Sequence, residues 1–312
     1  MARANKKAQS ALEYLATYGW AILIIAVVLA ALYQLGLFSK STSNTALPGS
    51  CQVLRPGGPL SKFNMQLAGL CNGQPTQYVG VFNGQNSYAQ LPNDVLDSYV
   101  INGHPFSISV WFYPQTCQPS NSWGQFFSWE PANNNPREDF DFYWFTSSSS
   151  CSGERVSTEW YQGGSGGPGV SYSPSSSLKG TWHFALITYS GSPSNTMTLY
   201  LDGALVSSGG GGVWTYSPPT PVYYGLSQCS GCAGSDFPGM LANIQFYNAS
   251  LSMPEANALY IEGIGGAPLV LQNLVGWWPL NGNTNDYSGD NLTGSNNGVT
   301  FTSSWTSGYT AP

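Results

Sequence analysis

Residues 106–113 read FSISVWFY, and apolar side chains occupy every second position from Phe106 to Phe112. A period of two is the pattern of a β-strand that turns one apolar face towards a core. Residues 182–187 are largely apolar on both faces, as expected of a central strand, and residues 242–247 form another alternating run. We therefore expect an antiparallel, all-β protein.

Two local signals predict where the chain reverses direction and where it forms a helix. Residues 197–206 read MTLYLDGALV, and Asp202-Gly203 is a dipeptide favoured in the type I′ turns of β-hairpins. SMPE at residues 252–255 has the capping-box pattern, with proline in the first turn. Gly263 is well placed to end the helix that starts there.

The composition narrows the function classes. Charged residues make up 8% of the 312 residues, against about 25% in an average domain, whereas aromatic residues reach 14%. A helical cytosolic enzyme would carry more Lys and Glu on its surface, and a disordered chain would have few aromatics. The net charge of −6 leaves no basic stripe for a phosphate backbone, so we expect no nucleic-acid partner.

The N-terminal region differs from the rest of the chain. Residues 15–38 contain no formal charge and are rich in Ala, Ile, Leu and Val. As a helix they would extend over about 36 Å, which is more than a bilayer core of about 30 Å. Arg3, Lys6 and Lys7 precede this run, and positive flanks stay in the cytoplasm. We expect a single-pass protein of the cell membrane, with its C-terminal domain outside the cell.

A resemblance refines this expectation. KKAQSALEY at residues 6–14 resembles the class III signal of archaeal type IV prepilins. The resemblance implies cleavage between Ala8 and Gln9, with residues 1–8 as leader and residues 9–38 as a pilin-like helix. Glu13 would then neutralise the amino terminus of a neighbouring pilin-like subunit, which removes two charges from hydrocarbon. An ordinary signal peptide or a simple anchor is the alternative.

The body of the chain also carries a resemblance. Its short pieces are VFNG at 81–84, SYAQL at 87–91, FSISVW at 106–111, WHFAL at 182–186, LYLDG at 199–203, and GMLANIQFYN at 239–248 with Leu251-Ser252. In this order they resemble the LamG-like jelly roll of the concanavalin A-like lectin/glucanase superfamily. The resemblance implies two antiparallel sheets packed as a jelly-roll sandwich over residues 73–268. With the apolar run described above, we expect one N-terminal transmembrane α-helix before this sandwich. Residues 39–72, with PGGP at 56–59, are predicted to be a linker.

Residues 269–312 are predicted to be a C-terminal extension. GWWPLNG at 276–282 and NDYSG at 285–289 resemble the opening strand of the same family, but out of order. The extension is either a truncated second repeat or a strand that completes the first sandwich. We favour the second alternative, because an isolated strand would need a partner.

The six cysteines of an exported chain are expected to form disulfides. Cys117 follows a strand that ends at Tyr113, and Cys151 follows the apolar run 140–145. If residues 125–129 form the return strand between them, both cysteines leave the same end of a sheet. This placement favours a Cys117–Cys151 bridge.

The other four cysteines are expected to pair locally. Cys51 and Cys71 would fasten the linker to the domain edge, which leaves Cys229 and Cys232 for a short bridge. A Cys-x-x-Cys pair also occurs in redox sites and in halves of zinc sites. We set zinc aside because the chain has no second such pair and contains two histidines.

Catalysis is not expected. The glucanases of the superfamily carry Glu-x-Asp-x-Glu on a strand, and this chain lacks that motif. In EDFDF at 138–142, Asp139 and Asp141 would share a strand face about 6.5–7 Å apart. We expect a solvated sheet rim there, so no residue is assigned a catalytic role. His183 lies inside a strand pattern, and we expect it to be a structural partner.

Sugar binding fits the composition better. Aromatic faces stack on pyranose rings, while amides and carboxylates bind the hydroxyl groups. The candidate platforms lie in turn-rich stretches and are Trp123, Trp160, Trp214 and Tyr216. For each of them, packing in the core or at the rim is the alternative role.

The resemblance to LamG domains also implies calcium, which binds through oxygen ligands. The candidate ligands are Asp94, Asp97, Asp236, Asp286 and Asp290. Many family members have an acidic residue where this chain has Asn243, so Ca²⁺ is an optional cofactor in this prediction.

These features predict a membrane-anchored, pilin-like protein of the cell surface that presents a LamG-like domain for carbohydrate binding or adhesion. Its expected partners are the membrane, a glycan or surface-protein ligand, and other pilin-like subunits. Asn248 and Asn291 begin glycosylation sequons, which agrees with export. Two alternatives remain: a structural subunit of a type IV pilus-like filament, and a glycoside hydrolase of the superfamily.

Overall fold

The computed structural model describes residues 22–28, 52–54, 66–68, 76–94, 96, 99, 103–117, 122–129, 139–162, 165–166, 169–210, 212–213, 221–226 and 236–312. The chain divides into two compact units, Met1–Ala46 and Leu47–Pro312. In the first unit, residues 22–28 form a helix, α1. Within the described ranges, no helix combines the length and the apolar character needed to span a membrane. The predicted leader, the cleavage site at Ala8 and Gln9, and Glu13 lie outside the described residues.

The second unit consists mainly of strands. In chain order they are β1 Gln52–Leu54, β2 Gln66–Ala68, β3 Val79–Asn83, β4 Tyr88–Gln90, β5 Phe106–Pro114, β6 Ser122–Trp129, β7 Asp139–Thr146, β8 Arg155–Gln162, β9 Ser165–Gly166, β10 Ser171–Tyr172, β11 His183–Tyr189, β12 Thr196–Leu201, β13 Ala204–Gly210, β14 Val222–Tyr224, β15 Pro238–Tyr247, β16 Leu274–Trp278, β17 Ser295–Asn297 and β18 Thr300–Thr302. A helix, α2, spans Met253–Ile261. β1 and β2 pair with each other inside the segment 39–72, for which the sequence predicts a linker.

The remaining strands form two eight-stranded sheets. Sheet I has the order β13-β12-β11-β5-β15-β3-β18, and β16 also pairs with β15. Sheet II has the order β10-β8-β7-β6-β14-β4-β17, and β9 also pairs with β8. Every pairing between these strands is antiparallel. The prediction of an all-β jelly-roll sandwich with two antiparallel sheets is confirmed.

The main core lies between the two sheets and is dominated by aromatic rings. Phe112 of β5 packs against Phe126 of β6 with ring centroids 4.5 Å apart. Phe106 of β5 meets Phe140 of β7 edge to face at 5.6 Å. Large rings supply much buried area per residue, and edge-to-face pairs add to it. This aromatic layer packs β6 and β7 of sheet II against β5 of sheet I.

Sheet I is covered on its outer face as well. Trp111 of β5 stacks on Tyr260 of α2, with ring centroids 5.8 Å apart. On the same strand, Ser107 is fully buried, where it donates to the Ala249 carbonyl and accepts from Leu251 N–H. The expectation that 106–113 buries one apolar face was therefore too narrow, because α2 and the C-terminal residues supply a second apolar layer.

The local signals are confirmed at the predicted residues. Asp202 and Gly203 have φ angles of 49° and 77° and join β12 to β13, as a type I′ turn requires. At the start of α2, Glu255 accepts hydrogen bonds from the Ser252 N–H and hydroxyl. Gly263 follows α2 with a φ of 77°, a conformation that glycine adopts without strain.

The C-terminal extension contributes strands to both sheets. β16 pairs with β15 and β18 pairs with β3 in sheet I, while β17 pairs with β4 in sheet II. Trp278 of β16 is fully buried in the main core. Of the two alternatives for this segment, these pairings support the one in which it completes the first sandwich.

A disulfide joins Cys117 to Cys151, with their Cα atoms 5.3 Å apart. The predicted pairing is confirmed, but its geometry differs from the expectation. Cys117 follows β5 of sheet I, whereas Cys151 follows β7 of sheet II, so the bridge links the two sheets. The other cysteines, Cys51, Cys71, Cys229 and Cys232, lie outside the described residues.

Candidate functional site

The outer face of sheet II carries polar, charged and aromatic side chains. Along β7, Phe140, Phe142 and Trp144 belong to the main core, so the alternate residues Asp139, Asp141, Tyr143 and Phe145 point outwards. Strand register extends this surface across β6 and β8. We call it the acidic face, and its members are Trp123, Gln125, Ser128, Asp139, Asp141, Tyr143, Phe145, Arg155, Ser157, Glu159 and Tyr161.

Three carboxylates are close together on the acidic face. Asp141 lies directly opposite Glu159 on β8, which places their Cβ atoms about 4.5–5.5 Å apart. Asp139 is two residues away on the same strand, or about 6.5–7 Å. Asp139 and Asp141 are 0% and 2% exposed, and Glu159 is half-buried. The prediction of a solvated rim is wrong, because β7 lies between β6 and β8 in the middle of the sheet.

A short hydrogen bond fixes one of these carboxylates. The Tyr143 hydroxyl donates to Glu159 Oε1 at 2.6 Å. Burial, followed by the negative charge of Glu159, raises the pKa of Tyr143 far above its usual value. Tyr143 therefore remains a donor, and it holds the Glu159 side chain in one orientation.

Gln125 of β6 lies opposite Tyr143 and is 1% exposed. Its Oε1 atom makes no hydrogen bond within the structure as described. A buried amide oxygen without a donor costs about 1–3 kcal/mol.

Aromatic groups occur at both ends of the acidic face. At one end, Trp123, Phe145 and Arg155 form a row across β6, β7 and β8. The ring centroid of the half-buried Trp123 lies 5.5 Å from that of Phe145. The Arg155 guanidinium carbon lies 3.7 Å from the Phe145 ring centroid. At the opposite end, the half-buried Tyr161 is paired with Asp139. The face therefore has aromatic surface next to hydrogen-bonding groups.

The four aromatic residues predicted to stack on sugar rings differ in their exposure and in whether the structure describes them. Trp123 is partly exposed on the acidic face. Trp160 is 1% exposed and packs against Phe140 and Tyr189 in the core, so its ring has no surface on which a sugar could stack. It was misassigned because it alternates inwards along β8. Trp214 and Tyr216 lie outside the described residues.

The predicted calcium ligands occupy different environments. Asp94 is exposed, Asp290 is half-buried, and Asp97 lies outside the described residues. Burial raises the pKa of Asp236 to about 7. In the part of the chain that the structure describes, no group of three or more acidic, His or Cys side chains could hold a metal ion.

Asp286 and Asn243, which bear on the calcium prediction, are engaged in internal hydrogen bonds. The Asp286 carboxylate accepts from the backbone N–H groups of Trp277, Ser288 and Leu292 and so shapes its own loop. Asn243, with a φ of 49°, accepts from the Trp277 indole and donates to the Gly266 carbonyl. Calcium binding stays a prediction.

His183 belongs to a hydrogen-bond network that includes Asp202, the first residue of the turn between β12 and β13. Its Nδ1 lies 2.8 Å from Asp202 Oδ2, and its Nε2 lies 2.7 Å from the Thr181 hydroxyl. The other Asp202 oxygen accepts the Phe184 N–H. The Thr181 hydroxyl donates to the Leu178 carbonyl, so its proton is not directed at the imidazole as in an activated nucleophile. The contacts of His183 match the structural role expected from the sequence.

The strand order and the buried core define a sandwich of two antiparallel sheets. The family model for the concanavalin A-like lectin/glucanases superfamily, Laminin_G_3, matches residues 83–257, which is more than half of the chain. The chain therefore belongs to this superfamily. A comparison with curated proteins gives no match.

Similar solved structures come from three different organisms. The SAP-like pentraxin of Limulus polyphemus is 14% identical with a TM-score of 0.46, over 62% of this chain and 85% of that one. The sialidase CBM40 of Ruminococcus gnavus, bound to α2,3-sialyllactose, is 13% identical with a TM-score of 0.44, over 58% and 96%. Domain 4 of a Geobacillus stearothermophilus arabinanase, in complex with arabinotriose, is 14% identical with a TM-score of 0.39, over 57% and 74%. Similarity at this level says nothing about the ligand of this chain.

Proposed function

We propose that the chain is a membrane-anchored, pilin-like protein of the cell surface whose sandwich binds carbohydrate on the acidic face. The observation that carries the proposal is the combination of partly exposed Trp123, Glu159 and Tyr161 on one sheet face. Aromatic rings can cover the apolar side of a pyranose, and a carboxylate accepts two adjacent hydroxyls. Membership of a superfamily that includes lectins supports the same ligand class.

Binding is favoured over hydrolysis at this face. Asp141 and Glu159 lie opposite each other on neighbouring strands, and this pairing of two carboxylates is the observation in favour of a hydrolase. However, Asp141 is 2% exposed, and Glu159 is held by the Tyr143 hydroxyl. A general acid must reach the glycosidic oxygen of the substrate, and the carboxylate of Asp141 is too deeply buried to do so.

The anchor is a proposal supported by α1. Its large aliphatic side chains are 49–65% exposed, and they are Ile22, Leu23, Ile24, Ile25, Val27 and Val28. Transfer of such apolar side chains from water into the hydrocarbon core of a bilayer lowers the free energy. Shearing of intact cells tests the assembly: a lone anchor stays with the membranes, whereas a filament subunit is released with fibres.

The binding proposal is tested on a glycan array with the full chain in detergent. We expect Tyr161→Ala and Glu159→Gln each to weaken binding by about tenfold, because the first removes a partly exposed ring and the second replaces a charged acceptor with a neutral amide. The matched controls are Tyr78→Ala and Glu262→Gln, which alter half-buried residues away from sheet II. Both controls should bind like the parent.

Two results would count against the proposal. One is a folded parent chain that gives no signal above background on the array. The other is equal binding by the parent and both acidic-face variants. If a glycan were instead cleaved, and Asp141→Asn abolished the cleavage, the hydrolase alternative would replace the binding function.

A further inference from the structure

A second concavity lies on the outer face of sheet I, away from the acidic face. Its floor is a row of three side chains in register, with Met240 of β15 paired both to Val81 of β3 and to Tyr113 of β5. The row is apolar and contains one aromatic ring, which is half-buried and lies 5.6 Å from Trp182. The open cleft above it has a volume of about 350 Å³. We call it the neutral cleft.

The walls of the neutral cleft are polar but carry no Asp, Glu, Lys, Arg or His among the described residues that line it. Gln115, Ser304 and Ser307 are exposed there and offer one amide and two hydroxyls. An amide both donates and accepts, and so does a hydroxyl. This lining complements an uncharged ligand with many hydroxyl groups.

The wall formed by the C-terminal residues is fixed before any ligand arrives. Trp305, which is 2% exposed, donates its indole N–H to the Thr76 carbonyl at 3.1 Å. The Trp182 indole donates to the Trp305 carbonyl at 2.8 Å, and the Trp182 N–H donates to the Gly308 carbonyl. Ser304 and Ser307 flank this anchor in sequence, so little conformational entropy is lost when they bind a ligand.

We propose that the neutral cleft is a second carbohydrate site that binds an uncharged saccharide of one or two rings. The apolar floor would take one face of a pyranose, and the exposed Gln115, Ser304 and Ser307 side chains would take its hydroxyls. The fourth polar side chain of the lining, Thr302, is half-buried and accepts the Ser304 N–H. The cleft volume lies at the lower end of the range of about 300–1,000 Å³ for small-molecule sites. The site does not depend on ligand binding at the acidic face.

The experiment uses the full chain and the neutral disaccharides lactose, cellobiose and maltose in saturation-transfer NMR. Ser307→Trp places a large ring in the cleft, and Thr306→Trp is its matched control, because Thr306 is exposed on the same segment and does not line the cleft. Gln115→Ala removes the amide. Thermal unfolding of each variant shows whether it is folded.

We expect at least one of the disaccharides to bind. Ser307→Trp should weaken that binding by about tenfold or more and Gln115→Ala by about fivefold, whereas Thr306→Trp changes it less than twofold. Ser307→Trp should leave the glycan-array signal of the acidic face unchanged, because Ser307 is not part of that face, and this separates the two sites. Absence of binding by all three sugars, or binding that survives Ser307→Trp, would overturn the proposal. So would an equal loss in Thr306→Trp, or a loss of the glycan-array signal in Ser307→Trp.

Discussion

The outer faces of the two sheets are built in opposite ways. On sheet I, the outer side chains around Trp111 are large and apolar, and α2 packs directly on them. On sheet II, the outward residues of β7 include Asp139, Asp141 and Tyr143, which are just as deeply buried. Packing alone explains the first face, because apolar burial stabilises the fold. Buried carboxylates cost free energy unless they are paired or hydrogen-bonded, so apolar packing does not explain the second face.

The largest expected effect contrasts one tryptophan from each face. Trp111→Ala should lower the free energy of unfolding by about 3–5 kcal/mol, because the ring is 1% exposed and contacts Phe184, Tyr260 and Tyr309. Trp123→Ala should cost about 1 kcal/mol or less, because that ring is half-exposed. Urea denaturation measures both. Similar losses for the two variants would remove the distinction between the faces.

The bridge between the sheets should have the next largest effect. The double change Cys117→Ser, Cys151→Ser should cost about 3 kcal/mol, because the disulfide closes a sequence separation of 34 residues in the unfolded chain. Ser150→Ala is the control, since Ser150 is exposed beside Cys151. Denaturation of the variants under oxidising conditions gives the values, and a loss below about 0.5 kcal/mol would contradict a role for the bridge in stability.

A buried carboxylate outside both faces should make stability depend on pH. Burial raises the pKa of Asp236 to about 7, whereas an unfolded aspartate has a pKa of about 3.9. The folded state keeps a proton that the unfolded state loses, so the free energy of unfolding falls as the pH rises from about 4 to about 7. Asp236→Asn should remove that slope and stabilise the protein at pH 8 by about 2 kcal/mol.

Unfolding curves at several pH values test this dependence. Asp94→Asn is the matched control, because Asp94 is exposed and its replacement should leave the slope unchanged. A parent protein whose stability is flat between about pH 4 and pH 7 would disprove the assignment to Asp236.

Features set by neighbours in sequence were predictable, and features set by distant strands were not. The Asp202-Gly203 turn and the start of α2 depend on a few adjacent residues, so the sequence locates them. The second burial of β5 depends on α2 and the C-terminal residues, which lie more than 140 positions further on. No alternation within 106–113 could reveal that cover.

The acidic face shows the same division. The alternation in DFDFYWFT places Asp139 and Asp141 on one side of β7, as predicted. Their burial and their nearness to Glu159 depend on the pairing of β7 with β8. The signal for that pairing was present in RVSTEWYQ at 155–162, where Val156, Thr158 and Trp160 alternate with polar residues. Comparing the two runs would have added Glu159 and removed Trp160.

The most direct test is a crystal structure of the full chain with the glycan that binds best on the array. We predict a sugar ring against Trp123 or Tyr161 and a sugar hydroxyl within hydrogen-bond distance of Glu159. A glycan that occupies another surface and leaves the outer side of β6, β7 and β8 empty would contradict the proposed binding face.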